Sequence, residues 1–355
     1  MLNKQFCRSV GVLRKTRYSA EIQTRTIMLQ HNHRTKETAP APAVLSTAPA
    51  SFSTFQPLGL NEYNGTPAYE NIDIEISGSP SDIRKDDPDA VYVVTGASRS
   101  MGLQFLKTLL DPSRAHESST IIACCRSPST ATALQEYIQT LSPDQQKRIQ
   151  TKQLDVTRDE DIESLAQFIK EHHNRVDALF NIAGVLGDSK TTAGPERNIS
   201  QFNKEWFQSQ FDVNAIGPMM LTKALLPFMK VPRKEMNSGS RAQSVVVNMS
   251  ARVGSIADNE GGLGWHSYRM SKCALNAGTR TLAHELKRSG VWTVALYPGF
   301  TETDMSAPFS NPKMKEKGMV FPVDFTVGRM MDVVEGMEEE NSGGFYDWAG
   351  IAIPF

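Results

Sequence analysis

Apolar residues along this chain fall into short runs, and between the runs they recur every three or four positions. The runs are AVYVV (90–94), TIIACC (120–125), IQTKQL (149–154), VDALFNIA (176–183), SVVVNM (244–249) and VWTVALY (291–297). Runs of this length read as strands, and the several that are continuously apolar read as strands buried on both faces. The stretches between them carry a helical period. One holds Leu103, Phe105, Leu106, Leu109 and Leu110, and another Ile162, Leu165 and Ile169. Strands alternating with such helices predict an α/β fold, a doubly wound parallel sheet with helices on both faces, as a single domain over 89–355.

Residues 1–88 have a different texture. Positions 1–36 carry eight Lys or Arg against one acid, Glu21, and are rich in hydroxyls. Then follows APAPAVLSTAPASFSTFQP (39–57), biased to Ala, Pro and Ser. Such a segment buries too little apolar surface to offset the entropy of ordering it. It reads either as a targeting region with a disordered linker or as a plain disordered extension. An Arg-rich, acid-poor start predicts mitochondrial import of a transit peptide, with a cytoplasmic address as the alternative.

A net charge of −1 gives no field for nucleic acid or an anionic membrane, so neither is expected as a partner. No apolar run is long enough to span a bilayer. The four cysteines, Cys7, Cys124, Cys125 and Cys273, show no metal spacing, and no metal site is expected. Neighbours in a strand point to opposite faces, so Cys124 and Cys125 read as buried free thiols rather than a disulfide.

The chemistry begins at TGASRSMG (95–102), between the first strand and its helix. A strand–turn–helix junction aims backbone N–H groups at one point, which suits a phosphate. Gly96 serves the turn, and Gly102 lets the helix approach the sheet. Arg126 follows the second strand where NAD sites favour an acid, and Arg99 lies in the loop. Two guanidinium groups suit the 2′-phosphate of NADP(H), with NAD(H) as the alternative cofactor, or Arg126 is a solvated strand end. Asp155 and Val156 end the third strand, where Asp155 is also a candidate helix cap. Asn181-Ile182-Ala183-Gly184 ends the fourth, with small residues that let backbone pass close to a ligand. Downstream, SYRMSKCALNAGTRTLAHEL (267–286) places Tyr268 and Lys272 four apart on one helical face. A nearby ammonium is expected to lower the phenol's pKa and make it a usable acid–base group.

Taken in this order, the motifs resemble the short-chain dehydrogenase/reductase family over about Ala90 to Phe355. The segment SARVGSIADNEGGLGWHSYRMSKCALN (250–276) and the ending GFYDWAGIAIPF (344–355) resemble its C-factor and sniffer-type carbonyl reductase branch. The resemblance implies a Rossmann-type sheet and hydride transfer between NADP(H) and a small-molecule carbonyl or alcohol, with Tyr268 as general acid/base. As the alternative it implies, through the C-factor, a signalling or regulatory protein that binds NADP(H) with little turnover. A homo-oligomer is a further possibility it raises. Carried over residue by residue, it assigns Asn214 in FDVNAIGP, Ser250, Tyr268 and Lys272 as the catalytic tetrad. Gly96, Ser98, Arg99, Ser100, Met101, Gly102, Arg126, Asp155, Val156, Asn181, Ala183 and Gly184 become cofactor contacts. Tyr268, Lys272, Pro298, Gly299 and Thr301 join them at the nicotinamide end, with Thr303 as the alternative to Thr301.

Three positions depart from the pattern or leave it open. Ser100 replaces the middle glycine, where its hydroxyl either bonds a phosphate or its bulk weakens binding. Many relatives carry two serines in succession, the second catalytic, and here the second position is Ala251, which makes Ser255 an alternative to Ser250. Phe300, Met305, Phe309 and Met314 read as a lid over a substrate or as ordinary packing. His266 reads as a loop histidine without a catalytic part.

Overall fold

A computed structural model describes residues 82–187 and 194–355. The apolar runs form strands β1 (Val91–Thr95), β2 (Thr120–Cys125), β3 (Ile149–Gln153), β4 (Ala178–Asn181), β5 (Ser244–Met249) and β6 (Val291–Tyr297). A three-residue strand, β7 (Phe345–Asp347), completes a sheet of order β3-β2-β1-β4-β5-β6-β7, and every pairing is parallel. β1 and β4 are adjacent, so the strand order reverses between them. The crevice beyond their carboxyl ends is where such sheets bind ligands.

The period of two along each strand divides the core into two layers. Tyr92, Val94, Phe180 and Val247 pack with Phe105, Leu106 and Met330 from helices Ser100–Leu109 and Val323–Glu335. Val91, Val93, Leu179 and Val246 pack on the other face with Leu165, Ile169, Leu221 and Leu225 from helices Asp159–His172 and Gly217–Met229. Cys124 falls in one layer and Cys125 in the other, and both are free thiols. Among the described residues no helix is long and apolar enough to cross a membrane.

The sequence boundary at 88/89 cuts through folded structure. A short helix, Asp82–Lys85, precedes β1. Its buried Arg84 donates to the Gln243 carbonyl at 2.5 Å, and the Arg84 carbonyl accepts from the Tyr92 hydroxyl at 3.2 Å. The basic start and the Ala/Pro/Ser stretch, with the address read from them, lie outside the described residues.

Candidate active site

The turn after β1 is held to β4 by one hydroxyl. Thr95 Oγ1 accepts from the backbone N–H groups of Ile182 and Ala183 at 2.9 and 3.0 Å. This draws the glycine loop against the strand end that carries Ala183 and Gly184. Gly102 is required by close approach: a Cβ there would lie 2.2 Å from the Gly96 carbonyl oxygen. Ser100, in place of the middle glycine, adopts the left-handed φ of +49°. That conformation costs a residue with a side chain roughly 1–2 kcal/mol. Its hydroxyl lies 3.4 Å from Asp304, which also pairs with Arg99 at 3.2 Å.

Beyond these strand ends opens a crevice of about 1420 Å³. Gly96, Ser98, Arg99, Ser100, Met101, Gly102, Arg126, Asp155, Val156, Ala183 and Gly184 all line it. Asp155 also accepts from the Thr157 N–H and hydroxyl at 3.0 and 2.7 Å, so it organises the turn before the next helix. Asn181, Tyr268, Lys272, Pro298, Gly299 and Thr301 are not on its wall. Asn181 donates inward to Asn248 Oδ1 at 2.8 Å, and the buried Thr301 hydroxyl donates to the Pro298 carbonyl at 3.0 Å. Thr303 is the threonine that faces the crevice, together with Met305 and Phe309 of the proposed lid. Phe300 and Met314 do not line it.

Tyr268 and Lys272 are buried one turn apart on the helix His266–Leu286. His266 opens that helix rather than lying in a loop. The helix start is fixed by Glu196, a buried residue that the sequence reading missed. Its carboxylate accepts from the Ser267 hydroxyl, and its carbonyl accepts from the Trp265 N–H at 2.5 Å. Lys272 Nζ lies 5.7 Å from the centre of the Tyr268 ring and donates to the Met249 carbonyl at 2.7 Å. A methyl placed on Gly184 would be 3.6 Å from Lys272 Nζ and 3.2 Å from Asn214 Oδ1, which ties all three to the crevice wall. Asn214 is clamped to Val185, accepting its N–H and donating to its carbonyl, each at 2.8 Å. It sits in a π-turn, Asp212–Ile216. Pro218 has no N–H to offer the Asn214 carbonyl four residues back, which favours the looser turn.

Electrostatics correct one expectation. Burial, with Tyr297 as a lesser cause, pushes the Tyr268 phenol well above its ordinary pKa instead of the ammonium lowering it. Lys272 is buried too, and the cost of a desolvated charge brings its pKa down to about 7. Tyr268 is therefore a protonated phenol at neutral pH, the form that donates.

The assignment of Ser250 also needs correction. Its hydroxyl continues the face of Asn248 and points to the same helix: Asn248 donates to Thr279 at 2.9 Å and Ser250 to Asn276 Oδ1 at 2.6 Å. The residue packed with Tyr268 and Leu186 is Ala251. Ser255 does not replace it, because its hydroxyl donates to the Pro354 carbonyl and accepts from the Asp258 N–H. Ser250→Ala is accordingly expected to lower stability by about 1–2 kcal/mol through the lost buried hydrogen bond. Turnover should stay within about twofold, since about 0.4 kcal/mol of barrier is twofold in rate. Denaturant melts and steady-state rates on one preparation check both, and a hundredfold loss of kcat would restore the serine to the reacting centre.

Residues 90–313 match the model of the short chain dehydrogenase family. An uncharacterized oxidoreductase of Schizosaccharomyces pombe is 27% identical over 274 residues, 75% of this chain and 98% of that protein. The C-signal of Myxococcus xanthus is 32% identical over 180 residues, 51% of this chain and 93% of its own length. Among solved structures, the NADPH-bound carbonyl reductase from chicken fatty liver superposes with a TM-score of 0.63 at 30% identity, covering 75% of this chain and 99% of that one. The carbonyl reductase Sniffer of Drosophila melanogaster gives the same TM-score at 26% identity, with the same coverage of both chains.

Proposed function

The chain belongs to the short-chain dehydrogenase family of oxidoreductases, and from that premise we propose that it reduces a small-molecule carbonyl with NADPH, using Tyr268 as the proton donor. The observation that carries this reading is the buried Tyr268–Lys272 pair, whose Lys272 Nζ lies directly behind the crevice wall at Gly184.

The residues present fit a dinucleotide. A Cβ at Gly102 would fill the cradle beneath the loop, and Arg99 and Arg126 supply cationic groups on the same wall. When bound, the nicotinamide supplies the hydride that reaches the carbonyl carbon. The chain's own part is the oxygen. Tyr268, kept protonated by burial, donates its proton there as negative charge develops. The phenolate left behind is stabilised by the Lys272 ammonium. Asn214, locked to Val185, holds the loop over that ammonium in one geometry. Leu186 and Phe309 line the crevice and also pack with Tyr268, and Trp265 meets the Tyr268 ring edge-on at 6.2 Å. They make an apolar approach that excludes water from the reacting oxygen.

Carbonyl-dependent oxidation of NADPH over a panel of aldehydes and ketones, run from pH 6 to 8.5, tests this reading. Reduction needs Tyr268 protonated, which holds throughout the range, and Lys272 charged, which holds below about 7. The expected profile of kcat/KM for NADPH, which reports the free enzyme's groups, falls as pH rises through about 7. Tight NADPH binding with no oxidation by any carbonyl would instead favour a sensor with little turnover, a role consistent with the alanine at 251.

A further inference from the structure

We infer that Tyr297 supplies the second hydrogen bond to the substrate's carbonyl oxygen, standing in for the serine hydroxyl that Ala251 lacks. The inference rests on the reductase reading above and concerns the same site. Three observations carry it.

First, the hydroxyls near the end of β5 are already spent. Ser250 donates to Asn276 and Ser255 to Pro354, and the residue that packs with Tyr268 is an alanine. A carbonyl oxygen gaining charge at Tyr268 would have one donor where an oxyanion is better held by two.

Second, register brings Tyr297 to this place. Met249 pairs with Leu296, and the Ser250 N–H donates to the Leu296 carbonyl at 2.8 Å, so β6 runs level with β5 up to its last residue, Tyr297. Ala295, two residues back on the same face, packs with Tyr297 in the adjoining apolar cluster. The Tyr297 ring also packs against the cluster of Leu186, Ala251 and Tyr268. The two phenols are close enough for a charge on Tyr297 to push Tyr268 further up.

Third, neither phenol is satisfied within the protein. Among the described residues neither the Tyr268 nor the Tyr297 hydroxyl makes a hydrogen bond. Burial also raises Tyr297 to about 12, so it too is a protonated donor at neutral pH. Two unspent phenolic donors packed on one apolar cluster offer a site for a single acceptor oxygen.

The test is carbonyl reduction by Tyr297→Phe, Tyr268→Phe and the double variant Tyr297→Phe/Ala251→Ser. Tyr297→Phe is expected to lower kcat about tenfold, the value of one ordinary hydrogen bond, with the KM for NADPH and the melting temperature unchanged. Adding Ala251→Ser should recover most of the loss, because it restores a hydroxyl where relatives carry one. Wild-type kcat in Tyr297→Phe alongside a dead Tyr268→Phe would overturn this inference and leave the reductase reading standing. So would a loss that Ala251→Ser does not repair and that comes with weaker NADPH binding or a lower melting temperature. Wild-type kcat in both phenylalanine variants would overturn the inference and the reductase reading together.

Discussion

Tyr268→Phe is expected to cut carbonyl reduction by about 10³-fold, within the range for a positioned general acid, while NADPH binds as before. The substitution removes one hydroxyl and keeps the ring. The ring packs with Leu186 and Ala251 and meets Trp265 edge-on, so the apolar cluster stays filled. The hydroxyl makes no hydrogen bond with the described residues, so folding loses little. Lys272 keeps its bond to the Met249 carbonyl, which does not involve Tyr268. The loss should therefore fall on kcat and leave NADPH affinity, read by fluorescence titration, within about twofold, a change of about 0.4 kcal/mol. A Tyr268→Phe enzyme that turns over at the wild-type rate would place the proton donor elsewhere.

What could be read from the sequence is what is local. Five strands announce themselves as apolar runs because each is buried on both faces, whereas β3, at the sheet edge, is half-buried and mostly polar. β7 does not, since three residues at a sheet edge show no period, and its place depends on pairing with β6. The glycine loop is legible because its constraint, the clash a Cβ at Gly102 would make, acts within a few residues. The spacing of Tyr268 and Lys272 is legible for the same reason.

The misreadings are non-local. Whether the hydroxyl of Ser250 or the methyl of Ala251 meets Tyr268 is decided by which strand face turns to the helix, and the chain must fold before that is visible. The alternation was nonetheless available: Asn248 and Ser250 share a face, and both bond the Tyr268 helix. Glu196 fixes the start of that helix from 71 residues away, and no spacing signals it. The direction of the Tyr268 shift depends on how deeply the phenol itself is buried, which a motif does not encode. Thr301 and Thr303 are equivalent in sequence, and only the turn between them decides which one the crevice meets.

Cofactor choice turns on Arg126, and Arg126→Asp is expected to move the preference for NADPH over NADH by about a hundredfold. The argument starts from the two guanidinium groups on the crevice wall. Arg99 is largely exposed and shared with Asp304, so its charge is already partly answered, although an ion pair this open to solvent holds it only weakly. Arg126 follows directly on β2, on the same wall as the glycine loop. If a 2′-phosphate lies against it, the arginine provides charge-assisted hydrogen bonds worth about 1.5–3 kcal/mol, or roughly ten- to a hundredfold in affinity. An aspartate there would repel the phosphate and accept a hydrogen bond from a free ribose 2′-hydroxyl, so NADH should bind no worse and even improve. Dissociation constants for both cofactors, measured on the variant and the wild type, separate the two effects. An equal loss for NADPH and NADH would mean that Arg126 acts outside the adenosine end and that the preference is set by Arg99 or by the turn itself. An unchanged pair of constants would make Arg126 a solvated strand end and remove the phosphate argument for NADPH, while the proton chemistry at Tyr268 would stand on its own geometry.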